Sequence, residues 1–307
     1  MIALVANPAA ASGRVGKRWD TFINSVRRHY PDVVVHRTTA HDGARSLGRL
    51  AVEQGATTIL SLGGDGTHSQ VVAGLMATNP QPGALSFGPL PAGTGSDFCR
   101  NYDCVGTVDA TLAHHHTGAT ALDVAALSYT LDGEVKHTHF LNICSAGIGG
   151  LIDSHVSRAP TWINGRLKYF GALLLGTAQY ETATVEVVVD GETKGEFPIH
   201  AVCICNGRWF AGGMQIAPNA RVDDGRLEVI VLPPVSVLRA LRLAPAAYGG
   251  RILEAPDVLH WPATRVQIIP VGQHPAYMDV DGEALGVAPC EATITPQALT
   301  LLGTIKE

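Results

Sequence analysis

The sequence changes rhythm near residue 120. Ahead of that point, short apolar runs alternate with segments of helical period. A strand is predicted at 2–6, then a helix with Trp19, Phe22, Ile23 and Val26 on one face, then a strand at 33–35. A helix at 44–54, a strand at 58–62, a helix at 67–76 and a strand at 84–87 follow. Strands that alternate with helices predict a parallel sheet covered on both faces, and ligands on such sheets sit at the carboxyl ends of the strands. Beyond residue 120 the pattern is mostly strands and hairpins. Asp132-Gly133 separates strand candidates at 124–131 and 135–145, and Asp190-Gly191 separates 184–189 from a run ending at Cys205. An Asp-Gly pair between two such runs marks a hairpin turn. Strands are also predicted at 227–231, 265–269, 276–280 and 299–305, with helices at 167–179 and 235–248. The fold class expected is α/β plus β: an α/β domain over 1–120, then an antiparallel β-sandwich over 121–295, with residues 296–307 as a tail.

Composition agrees with two folded domains. A chain of 307 residues is long for one domain and short for three. Hydrophobic residues make up 46% and charged residues 16%, against a usual charged share of roughly 25%, which excludes disorder. The formal net charge of -5 gives no basic footprint, so nucleic acid is not an expected partner. Met1 to Ala6 run into Asn7-Pro8 without a basic leader, and no apolar run approaches the roughly 20 residues that cross a bilayer. A cytoplasmic protein is expected. The six cysteines form no CxxC pair, as for reduced thiols, and Cys203 and Cys205 share one strand face, which favours packing over metal binding.

The most informative residues follow the third strand: Ser61-Leu62-Gly63-Gly64-Asp65-Gly66-Thr67. Glycines on both sides of a carboxylate let the backbone approach a ligand closely, and a helix starting there presents free N–H groups and the positive end of its dipole. That is a phosphate-binding arrangement; the alternative is a turn in which Asp65 caps the helix. Gly13 to Arg18 does not spell the P-loop, and Ser69 stands where the third glycine of GxGxxG belongs. A second glycine-rich loop, Leu90-Pro91-Ala92-Gly93-Thr94-Gly95-Ser96-Asp97-Phe98, closes the next strand. A third, from Asn7-Pro8 to Ser12-Gly13 with Lys17 and Arg18 beyond, closes the first strand. All three loops are expected at one sheet edge.

With these residues in place the sequence resembles the diacylglycerol kinase catalytic family, which includes bacterial lipid kinases and the sphingosine and ceramide kinases. The matching elements begin with the Asn7-Pro8 loop, Gly63-Gly64-Asp65-Gly66-Thr67, Pro91-x-Gly93-Thr94, Phe140-Leu141-Asn142 and Ser145-x-Gly147. They continue with Asn206-Gly207, Gly212-Gly213, Pro218-x-Ala220, Asp224-Gly225-x-Leu227 and Asp281-Gly282-Glu283. The chain departs from the family in a first loop two residues longer, in Ser69-Gln70 where Asn-Glu is common, and in Ser96 for asparagine.

The resemblance implies a Rossmann-like nucleotide-binding domain followed by a β-sandwich, with the active site in the cleft between them and the tail returning to the first domain. It implies an ATP- and Mg2+-dependent lipid kinase that phosphorylates the hydroxyl of a diacylglycerol-like lipid. By similarity, ATP is held by Asn7, Ser12, Gly13, Thr38 or the adjacent Thr39, Gly63, Gly64, Asp65, Gly66, Thr67, His68, Ser69 and Thr94. Glu283 is the implied proton acceptor, with Asp65 beside the phosphates and sharing that role or orienting the ion. A magnesium ion is implied at Asp224 with the carbonyls of Arg221 and Arg226, and Asp97 and Asp123 either join a water network or serve as a helix cap and a strand-start turn. The alternatives are a nucleotide-binding regulatory protein of the same fold without turnover, or a kinase for a sphingoid base or other alcohol.

The implied partner is a membrane lipid acceptor, met by transient peripheral contact, and a homodimer is left open. Candidates for an apolar acceptor cleft are Trp162, Leu173, Leu174, Leu175, Trp209, Phe210 and Met214, although most apolar residues of this kind are core. Arg239 and Arg242, near Leu238 and Leu241, suit either an anionic lipid surface or a plain surface helix. His114-His115-His116 reads as solvated surface in preference to a metal site.

Overall fold

The computed structural model describes residues 1–93, 96–102, 106–158 and 165–305. The chain divides into one unit of Met1–Val124 with Thr295–Glu307, and a second of Ala125–Ile294.

The first unit runs β1 (Ile2–Ala6), α1 (Arg14–Lys17), α2 (Trp19–His29), β2 (Val34–Arg37), α3 (Ala44–Glu53), β3 (Thr58–Gly63), α4 (Asp65–Met76), β4 (Ser86–Pro91) and α5 (Val108–His114). Its strands pair in parallel, with β1 between β2 and β3, and β3 beside β4. Residues Thr300 and Leu301 at the far end of the chain add a further parallel partner to β4. One layer of the core forms where Leu4, Leu60, Leu62 and Leu90 of the strands meet Ile23 and Val26 of α2 and Leu112 of α5. The apolar stripe of α2 is therefore the face buried against the sheet. α4 differs, being buried on most of its circumference from Thr67 to Met76, which matches the continuous apolar run of its second half, Val71 to Met76.

The second unit takes in the end of β5 (Ala119–Leu131), then β6 (Glu134–Phe140), β7 (Ile143–Gly147), α6 (Gly149–Arg158), α7 (Gly165–Gln179), β8 (Ala183–Val189), β9 (Glu192–Ile199) and β10 (Ala201–Cys205). It continues with β11 (Trp209–Phe210), β12 (Met214–Gln215), β13 (Leu227–Leu232), α8 (Val237–Tyr248), β14 (Leu259–Ala263), β15 (Arg265–Pro270), β16 (Tyr277–Val280) and the start of β17 (Glu283–Leu302). Antiparallel pairs join β14, β13, β10, β7, β16 and β17 in that order, with β17, β15, β8 and β9 in a second run and β5 beside β6. Alternation along β10 shows how two layers are filled. Val202 and Ile204 face Val185, Val187, Val266 and Ile268 of the other strands, whereas Cys203 and Cys205 face Ile148, Ile152 and Ala172 on the helical side. Both cysteines are buried free thiols, in keeping with a packing role, and the other described cysteines are free thiols as well.

The Asp-Gly pairs form two-residue hairpins. Asp132 and Gly133 have φ of 52° and 80°, Asp190 and Gly191 have 51° and 85°, and Asp281 and Gly282 have 51° and 87°. Both central residues at positive φ are the requirement of a type I′ turn, and Asp-Gly meets it at small cost. Some element bounds differ from the sequence reading. The run 135–145 is broken at Leu141-Asn142 into β6 and β7, and the tail strand begins at Glu283 instead of 299.

The histidine triplet corrects its expected solvated surface. His116 is exposed, and His114 is half-buried with its Nε2 accepting from Thr304 N at 3.1 Å. His115 is buried where Gly88 leaves room, since a Cβ there would lie 2.9 Å from its Cε1. Among the described residues no helix is long and apolar enough to cross a membrane.

Candidate active site

The nucleotide candidates gather where β1, β3 and β4 end side by side. Asn7 is the hub. Its Nδ2 donates to Thr67 Oγ1 at 3.1 Å, and its Oδ1 accepts from Ala9 N at 3.0 Å and from Thr38 Oγ1 at 3.3 Å. Of the two candidate threonines, Thr38 joins this network, while the Thr39 hydroxyl accepts from His41 N and Asp42 N and closes a local turn. Ala11, Ser12 and Gly13 have φ of 54°, 56° and 80°, and this left-handed run turns the long first loop back on itself, with Ser12 exposed. Just beyond it, Arg14 Nη2 donates to Ala92 O at 3.2 Å and ties the first loop to the loop after β4.

Close approach explains the glycines. A Cβ on Gly93 would lie 2.6 Å from Cα of Gly64, and one on Gly63 would lie 2.4 Å from Thr67 Oγ1, inside any tolerable contact. The backbones of the two loops can touch here because Gly93 has no side chain, whereas a Cβ on Gly64 would meet Gly93 Cα at 3.4 Å, an ordinary contact. α4 starts directly at Asp65 after an extended Gly64, and no side chain caps it, so its first N–H groups and dipole face the loop cluster.

Asp65 does not cap its own helix. Its Oδ1 accepts from Phe98 N at 3.0 Å, so the carboxylate reaches the segment after the second glycine loop. There Asp97, buried, pairs with Arg100 at 3.2 Å. Gly66 and Ser69 lie in the first two turns of α4, with Ser69 buried. His68 is fully buried and its Nδ1 lies 2.9 Å from Ser61 Oγ. Burial lowers its imidazole to about 4 against the opposing pull of Asp65, so the ring is neutral at pH 7. It braces α4 against β3. Thr94 and Trp162 lie outside the described residues. Asp123, also buried, accepts from Gln297 N at 2.7 Å.

The remaining candidates belong to the second unit. Asp224 Oδ1 accepts from Arg226 N at 3.0 Å across the turn at Gly225, and Arg221 grips Asp223 with two hydrogen bonds of 3.0 Å. Desolvation raises the Asp224 carboxyl, with a further push from the Asp223 charge. A carboxylate under this pressure suits a hard cation that keeps several waters. Among the described residues there is no group of three or more His, Cys, Asp or Glu placed to hold a metal.

Glu283 is exposed at the start of β17, opposite Val280 in the hairpin. The preceding Asp281 accepts from Leu141 N at 2.8 Å, Asn142 N at 3.0 Å and Ile143 N at 2.8 Å. Those two anchors, Arg14 on Ala92 and Asp281 on 141–143, were not foreseen as contacts. The Asp-Gly-Glu motif was visible as an element of the resemblance, which implied a role for Glu283 and none for Asp281. Of the cleft candidates, Met214 is buried and Leu173 and Phe210 pack against the same core, whereas Leu175 is exposed. On α8, Leu238 and Leu241 are exposed, and Arg239 pairs with Asp257.

Comparison with known proteins decides what this arrangement belongs to. Residues 1–127 match the diacylglycerol kinase catalytic domain, and residues 142–303 match the YegS C-terminal NAD kinase beta sandwich-like domain. The chain belongs to the diacylglycerol kinase family of lipid kinases. A diacylglycerol kinase of Mycobacterium tuberculosis is 26% identical over 98% of this chain and 94% of its own length. A Pseudomonas aeruginosa protein named probable lipid kinase YegS-like is 33% identical over 64% of this chain and 62% of its own length. A crystal structure of a diacylglycerol kinase from Bacillus anthracis superposes with a TM-score of 0.70 at 22% identity, covering 99% of this chain and 96% of that one, a likeness of fold alone. The enzyme class is thus a kinase, a phosphotransferase, and the two matched segments correspond to the α/β and β-sandwich parts of the family.

Proposed function

We propose that this kinase transfers the γ-phosphoryl group of ATP, with Mg2+, to the hydroxyl of a diacylglycerol-like lipid. The observation that carries the reading is the loop cluster of the first unit. Asn7, Thr38 and Thr67 are hydrogen-bonded together, and Gly64 and Gly93 touch backbone to backbone beside the uncapped start of α4. Polar hydroxyls, amide groups and helix N–H groups at one edge of a parallel sheet suit a polyphosphate. In this reading Asn7, Ser12, Gly13, Thr38, residues 63–67, Ser69 and Thr94 hold the nucleotide, while His68, buried against Ser61, stays behind the site.

Phosphoryl transfer is mostly positioning and charge neutralisation, with one group to take the acceptor's proton. The acceptor oxygen forms a bond to the γ-phosphorus as the bond from that phosphorus to the bridging oxygen breaks, ADP leaves, and the hydroxyl proton passes to Glu283. Asp65, fixed by Phe98 N, lies at the phosphate end and aligns the reactants. Asp224 with the carbonyls of Arg221 and Arg226 supplies oxygen donors of the type magnesium takes, and the ion when bound offsets phosphate charge. The acceptor reaches the enzyme from a membrane surface by transient contact.

The choice of diacylglycerol is supported by the names of the relatives from M. tuberculosis and Bacillus subtilis, both diacylglycerol kinases. Incubation with ATP and Mg2+ in mixed micelles of diacylglycerol, sphingoid base, ceramide or isoprenoid alcohol, with and without chelator, tests the proposal. Product is expected with diacylglycerol and only without chelator. Product on another alcohol alone reassigns the acceptor, and product on none of them defeats the kinase reading.

A further inference from the structure

The Asp281 carboxylate is committed to the backbone of a distant segment. Its Oδ2 accepts from Leu141 N at 2.8 Å, and its Oδ1 accepts from Asn142 N at 3.0 Å and Ile143 N at 2.8 Å. These amides lie where the chain passes from β6 to β7 and cannot all be satisfied by a strand ladder. The same segment is held from its other side, since Asn206 Nδ2 donates to Leu141 O at 2.8 Å and Asn142 Nδ2 donates to Trp209 O at 2.6 Å. Asn206 N and Gly207 N both donate to Asn142 O, at 2.8 and 3.0 Å. A rigid shelf results, built from Phe140-Leu141-Asn142 and Asn206-Gly207, and the tip of the β16–β17 hairpin is pinned to it by Asp281.

Asp190, at the equivalent place in the β8–β9 hairpin, uses the same device. Its Oδ1 accepts from Thr264 N at 2.9 Å, Thr264 Oγ1 at 2.8 Å and Arg265 N at 2.8 Å. That hairpin carries none of the candidate site residues. At Asp281, by contrast, the pinned turn ends two residues later in Glu283. We propose that Asp281 is a positioning residue, which fixes the direction of the Glu283 carboxylate by anchoring the hairpin tip to the amides of 141–143. With three N–H donors on its two oxygens Asp281 is ill placed to collect a proton itself. Its charge is used to hold backbone, and a charge-assisted bond to an amide is about twice as strong as a neutral one.

The proposal rests on Glu283 as the proton acceptor, and the experiment separates the two. Asp281→Asn, Glu283→Gln, the double variant and Asp190→Asn are compared by thermal melting, by KM for ATP and by kcat on diacylglycerol micelles. Asparagine keeps one acceptor and turns the other into a donor facing an amide. For Asp281→Asn, kcat is expected to fall on the order of 10²-fold, the effect of a displacement of about 1 Å at a reacting group, with KM for ATP unchanged. Asp190→Asn is expected to lower the melting temperature and leave kcat alone. In the double variant the two losses are expected not to multiply.

Wild-type kcat in Asp281→Asn while Glu283→Gln is inactive overturns the positioning role alone. Multiplying losses also overturn it, because Asp281 then acts independently of Glu283. Near-normal turnover in Glu283→Gln removes the base assignment and the positioning role with it. Where Asp281→Asn does not fold, Gly282→Ala replaces it. A Cβ at Gly282 meets nothing within 4 Å, but φ of +87° is strained for alanine, so the tip moves without loss of the Asp281 acceptor. A kcat loss with KM for ATP kept supports the proposal, and unchanged kcat contradicts it.

Discussion

Asn7 Nδ2 donates to Thr67 Oγ1 at 3.1 Å across 60 residues of sequence, joining the end of the first strand to the first turn of α4. Because Asn7 Oδ1 also accepts from Thr38, one side chain spans the ends of β1, β2 and β3. An amide has a donor end and an acceptor end, so it can bridge two hydroxyls in this way, whereas a carboxylate cannot donate and would repel phosphate.

Gly93→Ala tests the contact between the glycine loops. Its Cβ would sit 2.6 Å from Gly64 Cα, and backbone cannot yield as a flexible side chain can. The variant is expected to lose about 1–3 kcal/mol of stability and to bind ATP at least about tenfold more weakly. Denaturant unfolding and an ATP titration measure both. Unchanged ATP affinity would place the nucleotide elsewhere.

Glu283→Gln is expected to keep ATP binding and lose about 10²–10⁴-fold in kcat, the usual contribution of a general base. Parallel measurement of KM for ATP and kcat gives the answer. Near-normal kcat would move the role to Asp65.

Asp224→Ala addresses the ion. The Asp224 carboxyl is raised by desolvation and by Asp223, a cost that a bound cation relieves. Wild-type protein should therefore gain thermal stability on adding magnesium, and the variant should gain little. An equal shift in both would remove Asp224 from the ion's ligands.

Acid should destabilise the fold in a defined window. Burial lowers His68, His115 and His200 to about 4, whereas an unfolded histidine titrates near pH 6.5. Above about pH 6.5 the rings are neutral in both states and this source of pH dependence vanishes. Between about 6.5 and 4 the unfolded chain binds protons that the folded chain refuses. Stability then falls on acidification, by up to about 1.4 kcal/mol per pH unit per ring. Denaturant midpoints from pH 8 to pH 5 should drop below pH 6.5, and less steeply in His115→Leu. A flat profile would contradict the buried neutral rings.

Much of this was legible in the sequence because it depended on local signals. The strand and helix periods before residue 120 and the three Asp-Gly turns reflect chemistry within a few residues. The convergence of the loops followed from parallel topology, since consecutive strands end at the same edge. What was not legible depended on contacts distant in sequence. A helix cap was the alternative reading of Asp65, and the contact that decides against it, Phe98 N on its carboxylate, spans 33 residues. Spacing pointed to Thr38 only narrowly over Thr39, and the structure separates them: one meets Asn7 and the other closes its own turn. His115 could not be told from its neighbours without the space above Gly88, and Leu141-Asn142 interrupts a strand candidate because the Asp281 carboxylate, far along the chain, takes up its amides.

The central claim is that the loop cluster around Asp65 holds ATP for transfer to a lipid hydroxyl. Transfer of label from γ-labelled ATP to diacylglycerol in micelles, by wild type and by folded Asp65→Ala, tests it most directly. The account predicts magnesium-dependent labelling by wild type and a loss of at least about 10²-fold in the variant, as expected for a residue that aligns the reacting groups. Equal labelling by both proteins, or ATP binding with no acceptor labelled by either, would contradict it.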